Sequence, residues 1–354
     1  MSTAQSDYLD AVLERVDAVI LDDARLVEPE ADPQPDLPLD PDPFVLVREH
    51  VRSGGKRFRP ILALWGWVYG GGDASTPTED LVTLGAALEL LHTFALVHDD
   101  VMDEAAVRRG GPTIHVTMAD QHRGADGVGR PERFGESMAT LVGDLAAAQA
   151  YRLGATLPAP VLADWHAMVV ELVVGQAREV VGTATARRSL AHTRQVAMLK
   201  SGRYSIQRPL ELGARLAGAD EARMSELTAY GQHLGEAFAM RDDVLGVWGS
   251  QSHTGKPVGH DLRDGKATVL LALVQDLLPP AAQEILSHAV AGPLDTSEVT
   301  LLTHALETVG ARDRAEAHIE AQLTLALAAL DGTAPAAAVE ALTEMAHRVT
   351  RRQS

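Results

Sequence analysis

The chain has 354 residues, 46% of them hydrophobic but only 4% aromatic, with no cysteine; this is enough for a large core packed through small side chains, and it excludes disulfides and thiol catalysis. With 31 basic and 49 acidic residues the formal net charge is -18, which argues against nucleic acid or an anionic membrane surface as a partner and makes any phosphate site a local basic cluster. Met1 to Ile20 carries acids without a basic start, so no signal peptide is read there, and no apolar run approaches the roughly 20 residues of a membrane span. The expectation is a soluble cytoplasmic protein.

Tyr8, Val12, Val16 and Ile20 recur every four residues and predict a first amphipathic helix. Glu28 to Pro43 follows as an acidic, proline-rich linker with no chemistry of its own. Residues 1–43 are therefore read as helix plus linker, and residues 44–354 as a single all-helical domain. Within it, Ser53-Gly54-Gly55-Lys56-Arg57-Phe58-Arg59-Pro60 combines a tight glycine turn with a basic knot, as either a phosphate grip or an ordinary basic helix start.

Leu81 to Asp103 predicts the strongest helix, with Leu84, Leu88, Leu91 and Ala95 on one apolar seam and His92, Asp99 and Asp103 on another stripe. Two carboxylates one helical turn apart suit a hard cation, while Asp100 leans to the side. Mg²⁺ keeps waters and substrate phosphates beside one or two carboxylates, so a phosphorylated substrate is its natural companion. Arg108 and Arg109 add guanidinium forks for phosphate oxygens, and Gly110-Gly111-Pro112 is expected to end the helix just after them.

Ala119 to Arg133 is polar and glycine-rich and reads as a surface loop; Ser137 to Leu153 and Val161 to Val181 return to helical periodicity. Gly175-Gln176 with Glu179, then Lys200-Ser201, place polar groups on these later segments. Leu234, Phe238 and Asp242 step down one helix face by fours, with Asp243 next to the last. Thr254 to Lys266 holds Lys256 and Lys266 among glycines, a loop able to bring cations over a phosphate. Beyond Thr268 the chain is helical, and Arg351-Arg352 reads as a frayed tail.

His98 to Gly110 resembles the first aspartate-rich motif of the trans (head-to-tail) isoprenyl diphosphate synthases, and further matches follow in order from Gly54 to Lys266. The resemblance implies the helical isoprenoid synthase fold, all-α with long helices around a deep apolar cavity, assembled as a homodimer. It implies prenyl transfer between isopentenyl diphosphate and an allylic diphosphate. Mg²⁺ would bind Asp99, Asp103 and Asp242, with Asp243 in support. Arg108, Lys200 and Lys256 would neutralise the leaving allylic diphosphate, with Ser201 and Lys266 beside it, and Lys56, Arg59, His92 and Arg109 would hold isopentenyl diphosphate.

The chain departs from the family pattern at Ala239, where glutamine is usual, at Gly246, where the second motif has its last aspartate, and at Glu179, where aspartate is usual. Such losses suit a non-catalytic partner subunit of a heteromeric synthase as well as a working enzyme. A class I terpene cyclase would use an aspartate-rich helix but not the two further basic motifs. In the family, the residues just before the first motif set product length. Here they are Leu91, Phe94 and Ala95, and one aromatic at the fifth position with a small residue at the fourth resembles the geranylgeranyl type; farnesyl and longer products are the alternatives.

Overall fold

A computed structural model describes residues 3–27, 39, 41–185, 188–249, 258–289, 292–330 and 332–352. The all-α expectation holds, since among the described residues the strands amount to one pair of two-residue segments. Contacts divide the chain into two compact units, Met1–Leu64 with Asp73–Leu162, and Trp65–Gly72 with Ala163–Ser354. The break expected at residue 43 lies inside the first unit, and most of the proline-rich linker lies outside the described residues.

In the first unit, α1 (Thr3–Leu26) and α2 (Pro43–Arg52) precede the first half of α3 (Phe58–Tyr69), which belongs to the second unit from Trp65 on, and α4 (Glu79–Met102). Asp42 caps α2 by accepting from the Phe44 N–H at 2.8 Å, and Thr78 caps α4 by accepting from Leu81 at 3.3 Å. The sequence suggested one apolar seam on α4; instead Leu81 to Leu91 is buried on every side. The reason is that α4 is central: Tyr8 of α1 is fully buried and donates to the Leu81 carbonyl at 3.3 Å, and a Cβ on Gly85 would stand 2.5 Å from the Tyr8 hydroxyl. That position also corrects the reading of the hydropathy. α4 is long and apolar enough to cross a membrane by length and composition, and 72% of its most apolar window is buried by protein.

A hairpin of β1 (Val107–Arg108) and β2 (Gly111–Pro112) follows, then α5 (Ile114–Gly124) and α6 (Pro131–Gly154). The loop expected from Ala119 is therefore half helix. Met118, Ala119 and His122 bury one face of α5, and Gly135 of α6 lies so near the His115 carbonyl that no Cβ would fit. Polar composition concealed this short helix because only a narrow stripe of it is apolar.

The second unit begins its main run in α7 (Ala159–Ala184), most of which belongs here, followed by α8 (Leu190–Ala197), a π-helical segment Met198–Gln207, α9 (Arg208–Leu216) and α10 (Glu221–Trp248). Gly202 and Gly235 bring the π-helical segment against α10, a Cβ on either meeting the other's backbone at 3.0 Å. After the single turn α11 (His260–Arg263) come α12 (Val269–Val274), α13 (Pro280–His288), α14 (Thr296–Thr308), α15 (Ala311–Ala328) and α16 (Ala336–Thr350). Tyr230 of α10, fully buried, donates to the Leu342 carbonyl of α16 at 2.7 Å.

Candidate active site

The first aspartate-rich helix ends sooner than its sequence implied. α4 stops at Met102, with Asp103 as its C-cap and the Asp103 N–H donating to the Asp99 carbonyl at 2.8 Å. The arginines sit instead on the hairpin, where Arg108 pairs with Gly111 across the strands. Arg109 and Gly110 between them have φ of 54° and 79°, the two left-handed residues of a type I′ turn. A non-glycine residue in that region costs on the order of 1 kcal/mol or more, and the Arg109 side chain offers compensation. Its Nη1 donates to the Gly54 carbonyl at 2.6 Å and to Ser53 Oγ at 3.2 Å. A Cβ on Gly55 would come within 2.9 Å of Arg109 Nη2. The double glycine is thus a seat for this guanidinium as well as a turn.

Arg108 is anchored on the middle aspartate. Its Nε meets both Asp100 oxygens, at 2.7 and 2.8 Å, and its Nη2 lies 2.6 Å from Asp100 and 3.5 Å from Asp99. Asp100 is buried, so the carboxylate set aside in the sequence reading is the buttress for an arginine beside the metal-type pair. Arg57, placed among the phosphate-type cations by its neighbours, is committed elsewhere. It pairs with the buried Glu89 of α4 and donates to the Val51 carbonyl. Lys56 stays at the turn, its ammonium 5.8 Å from the Phe58 ring centre.

Electrostatics gather Arg59, His92, Arg108 and Arg109 together with His50, which the sequence did not single out. Burial, then the charges of Arg59, Arg109 and Arg108, holds His92 well below the usual imidazole range. His50 is pushed down to about 4 by burial and by Arg109, Arg108 and Arg57. Burial also lowers Arg109, and Arg57 and Arg108 repel its proton further. Neighbouring cations thus lower Arg109 and both histidines, which stay neutral at pH 7, while Arg108 is held charged by its carboxylates. An anion such as a diphosphate relieves that crowding, and planar guanidinium forks match its oxygens.

Among the described residues no three acidic or imidazole groups are placed to enclose an ion alone. The donor set still fits Mg²⁺, which completes its shell with waters and phosphate oxygens: Asp99 and Asp103 flank Arg108, which feels both charges. One turn earlier, the Phe94 ring lies edge-on to His98 with centroids 4.7 Å apart, and His98 Nε2 is 3.0 Å from the Thr140 carbonyl of α6. Ala95 is half-buried and Leu91 fully buried.

In the second unit, Lys200 and Ser201 lie on the π-helical segment, a form of helix that recurs at functional positions. Gly175 explains itself here, since a Cβ on it would lie 2.8 Å from the Lys200 amide nitrogen. Glu179, one turn further along α7, forms an ion pair with Lys200. The longer acid thus reaches the lysine directly.

Asp242 of the second motif pairs with Arg352, whose guanidinium also stacks 4.1 Å from the Phe238 ring centre and donates to the Phe238 carbonyl at 3.2 Å. The supposed frayed tail is therefore docked on α10. Arg241 reinforces it, donating to the Thr350 carbonyl at 2.6 Å and to both Glu316 oxygens at 2.7 and 2.6 Å. Asp243 is turned to the start of α12 and accepts from the Leu270 N–H at 3.0 Å. Burial raises its carboxyl well above the usual range, with the charges of Asp261 and Asp242 adding to this. Lys266 is half-buried and donates its N–H to the Asp261 carbonyl at 3.0 Å. Lys256 lies outside the described residues.

Comparisons with known proteins establish the family. The polyprenyl synthetase family model matches residues 45–309, and the chain belongs to that family, the trans-isoprenyl diphosphate synthases. It is 30% identical over 261 residues to a geranylgeranyl diphosphate synthase of Sulfolobus acidocaldarius, covering 72% of each chain. It is 33% identical over 248 residues to a nonaprenyl diphosphate synthase of Mycobacterium tuberculosis, covering 69% of this chain and 66% of the relative. Among solved structures it resembles a geranylgeranyl pyrophosphate synthase of Corynebacterium glutamicum complexed with isoprenyl diphosphate and magnesium, at 32% identity and TM-score 0.83, covering 97% of this chain and 99% of that one.

Proposed function

We propose that this enzyme condenses isopentenyl diphosphate with an allylic diphosphate in a Mg²⁺-dependent reaction, and that its main product is geranylgeranyl diphosphate. The observation that carries the substrate reading is the crowding of Arg59, Arg108 and Arg109 around His92 and His50 in a chain of net charge -18. Lys56, Arg59, His92 and Arg109 hold the isopentenyl diphosphate, with neutral His92 supplying a hydrogen bond. Arg108, Lys200 and Lys256 neutralise the leaving diphosphate of the allylic substrate, and Ser201 and Lys266 orient it. Mg²⁺, taken up by Asp99, Asp103 and Asp242, would stabilise the negative charge that develops as the C–O bond ionises; Asp243, read from the sequence as a supporting ligand, is instead committed to the Leu270 N–H. The test is purified protein with Mg²⁺, labelled isopentenyl diphosphate and each allylic primer in turn, with products resolved by length. No incorporation from any primer overturns the reading.

The product assignment rests on the floor formed by Leu91, Phe94 and Ala95. The pairing of Phe94 with His98, and of His98 with the Thr140 carbonyl, supports a fixed aromatic at one position, while Ala95 leaves space at the next. Ala95→Phe is expected to shorten the product and Phe94→Ala to lengthen it, read by chromatography of the dephosphorylated alcohols. An unchanged distribution in both variants removes the basis for the assignment.

The enzyme acts as a cytoplasmic homodimer in this reading. Support for the dimer comes from α7, where Val170, Val173, Val174, Val180 and Val181 are all exposed and fall on one side of the helix. Val173→Glu with Val181→Glu is expected to give a monomer by light scattering. A dimer of undiminished stability in that variant excludes this face as the interface.

A further inference from the structure

We propose that Arg188 is a positioning residue for the allylic diphosphate, fixing the backbone from which the Lys266 side chain is aimed. The inference rests on the reading of Lys266 given above and concerns the second unit alone. Arg188 stands just before α8, the helix that runs on into the π-helical segment with Lys200 and Ser201. Its Nη2 donates to the Gly265 carbonyl at 3.2 Å and its Nη1 to the Leu286 carbonyl at 2.8 Å. The Gly265 carbonyl belongs to the peptide that leads into Lys266, and the other end of that peptide, the Lys266 N–H, donates to the Asp261 carbonyl at 3.0 Å. Both polar groups of one peptide plane are thus taken. The Lys266 carbonyl in turn accepts from the Thr268 N–H at 3.1 Å, so the main chain on both sides of the lysine is held, and with it the direction in which the side chain leaves.

The surroundings of Arg188 suit this task and no other that the structure offers it. Among the described residues no carboxylate pairs with it; the side chain is half-buried, its Nε is enclosed without a partner, and burial lowers its pKa. A surface arginine keeps its head in water, whereas this one gives up hydration to reach two carbonyls. Leu286 lies in the last turn of α13, where helix carbonyls have no partner of their own and the dipole favours a cation. Gly265 is seated against the same helix end. It has a left-handed φ of 64°, and a Cβ on it would lie 2.5 Å from the Ala289 carbonyl oxygen, so only glycine fits there. Arg188 is fixed at its base as well, because Gln275 Nε2 donates to its carbonyl at 3.3 Å, and Ser189 caps α8 by accepting from the His192 N–H at 3.4 Å. The guanidinium thereby ties the start of α8 to the end of α13 and to the turn that carries Lys266. Its planar fork meets two acceptors at once, which a single ammonium does not reproduce.

A double-mutant cycle tests this. Affinity for inorganic diphosphate in the presence of Mg²⁺ is measured by calorimetry for Arg188→Ala, Arg188→Lys, Lys266→Ala and the double Arg188→Ala, Lys266→Ala, with thermal unfolding recorded for each protein. Arg188→Ala is expected to weaken diphosphate about tenfold, the size of one charge-assisted contact thrown off its aim, and to raise KM for the allylic diphosphate while KM for isopentenyl diphosphate keeps its wild-type value. Arg188→Lys, which retains the charge and reaches one carbonyl, is expected to fall between Arg188→Ala and wild type. The double variant is expected to bind no more weakly than Lys266→Ala alone, since a residue that acts through another adds nothing once the other is gone. Wild-type affinity in the Arg188 variants overturns the proposal, and so does a double variant in which the two losses add. Where Arg188→Ala does not fold, Arg188→Lys with and without Lys266→Ala carries the same comparison. If Lys266→Ala weakens diphosphate and the Arg188 variants do not, only the positioning role falls, whereas wild-type affinity in Lys266→Ala overturns the reading of Lys266 beneath it.

Discussion

Replacing Asp103 with Asn is expected to lower kcat on the order of 100- to 1000-fold, the range seen when one preorganised group for a developing charge is removed. The substitution keeps the shape and deletes one charge, so a cation shared with Asp99 loses one of its carboxylate ligands. Folding should be largely retained, because the Asp103 backbone N–H that closes the helix end is unchanged. Steady-state rates across a Mg²⁺ titration, beside circular dichroism of the same sample, make the measurement. Near-normal turnover with an intact spectrum would remove Asp103 from the metal site. The middle aspartate is a poorer probe, since Asp100→Asn also frees Arg108 from its anchor and mixes positioning with chemistry.

Glu89→Leu is the substitution with the largest expected effect on stability, about 3–5 kcal/mol, as for other buried pairs that lose one partner. Glu89 is buried within α4 and faces an Arg57 that is itself mostly enclosed. Leucine fills the volume but leaves the guanidinium without a counter-charge. Arg57 also has a left-handed φ of 51°, so the pair holds a strained residue directly after Lys56. The expected consequence for function is a raised KM for isopentenyl diphosphate, because loss of the pair loosens the turn that carries Lys56 and, at the Gly54 carbonyl, seats Arg109. Urea unfolding compared with wild type gives the stability change. A midpoint that does not move would mean that water reaches Arg57 freely enough to replace Glu89.

Several features were determined by local sequence. α1, α4, α6, α7 and α10 follow from apolar spacing, and the residues needed for a cation and two diphosphates could be named because each motif is short and contiguous. Asp99 and Asp103 are one turn apart in any helix, and Gly54-Gly55 makes a turn wherever it lies. Partnership was another matter. Arg57 looks like its neighbour Lys56 in sequence, yet it is consumed by Glu89, 32 positions away. A lone acid in the apolar run of α4 was the signal that could have revealed it, since a buried charge requires a counter-charge.

Arg352 reaches Asp242 across 110 positions, and Arg188 reaches the Gly265 carbonyl across 77. Neither contact has any local periodicity to betray it. Hydrophobic spacing identifies the face a helix buries; it does not identify which helix covers that face or where a charged side chain ends. The end of α4 at Met102 is decided in the same way. Arg108 must turn back to reach the Asp100 carboxylate, and a helix continued to Gly110 would carry it away from that partner. Residue types and spacing determined the chemistry this chain can attempt. Only the packing of distant elements decided which charges remain available for it, because ion pairs and close backbone approaches depend on where helices cross, and that is a property of the folded chain as a whole.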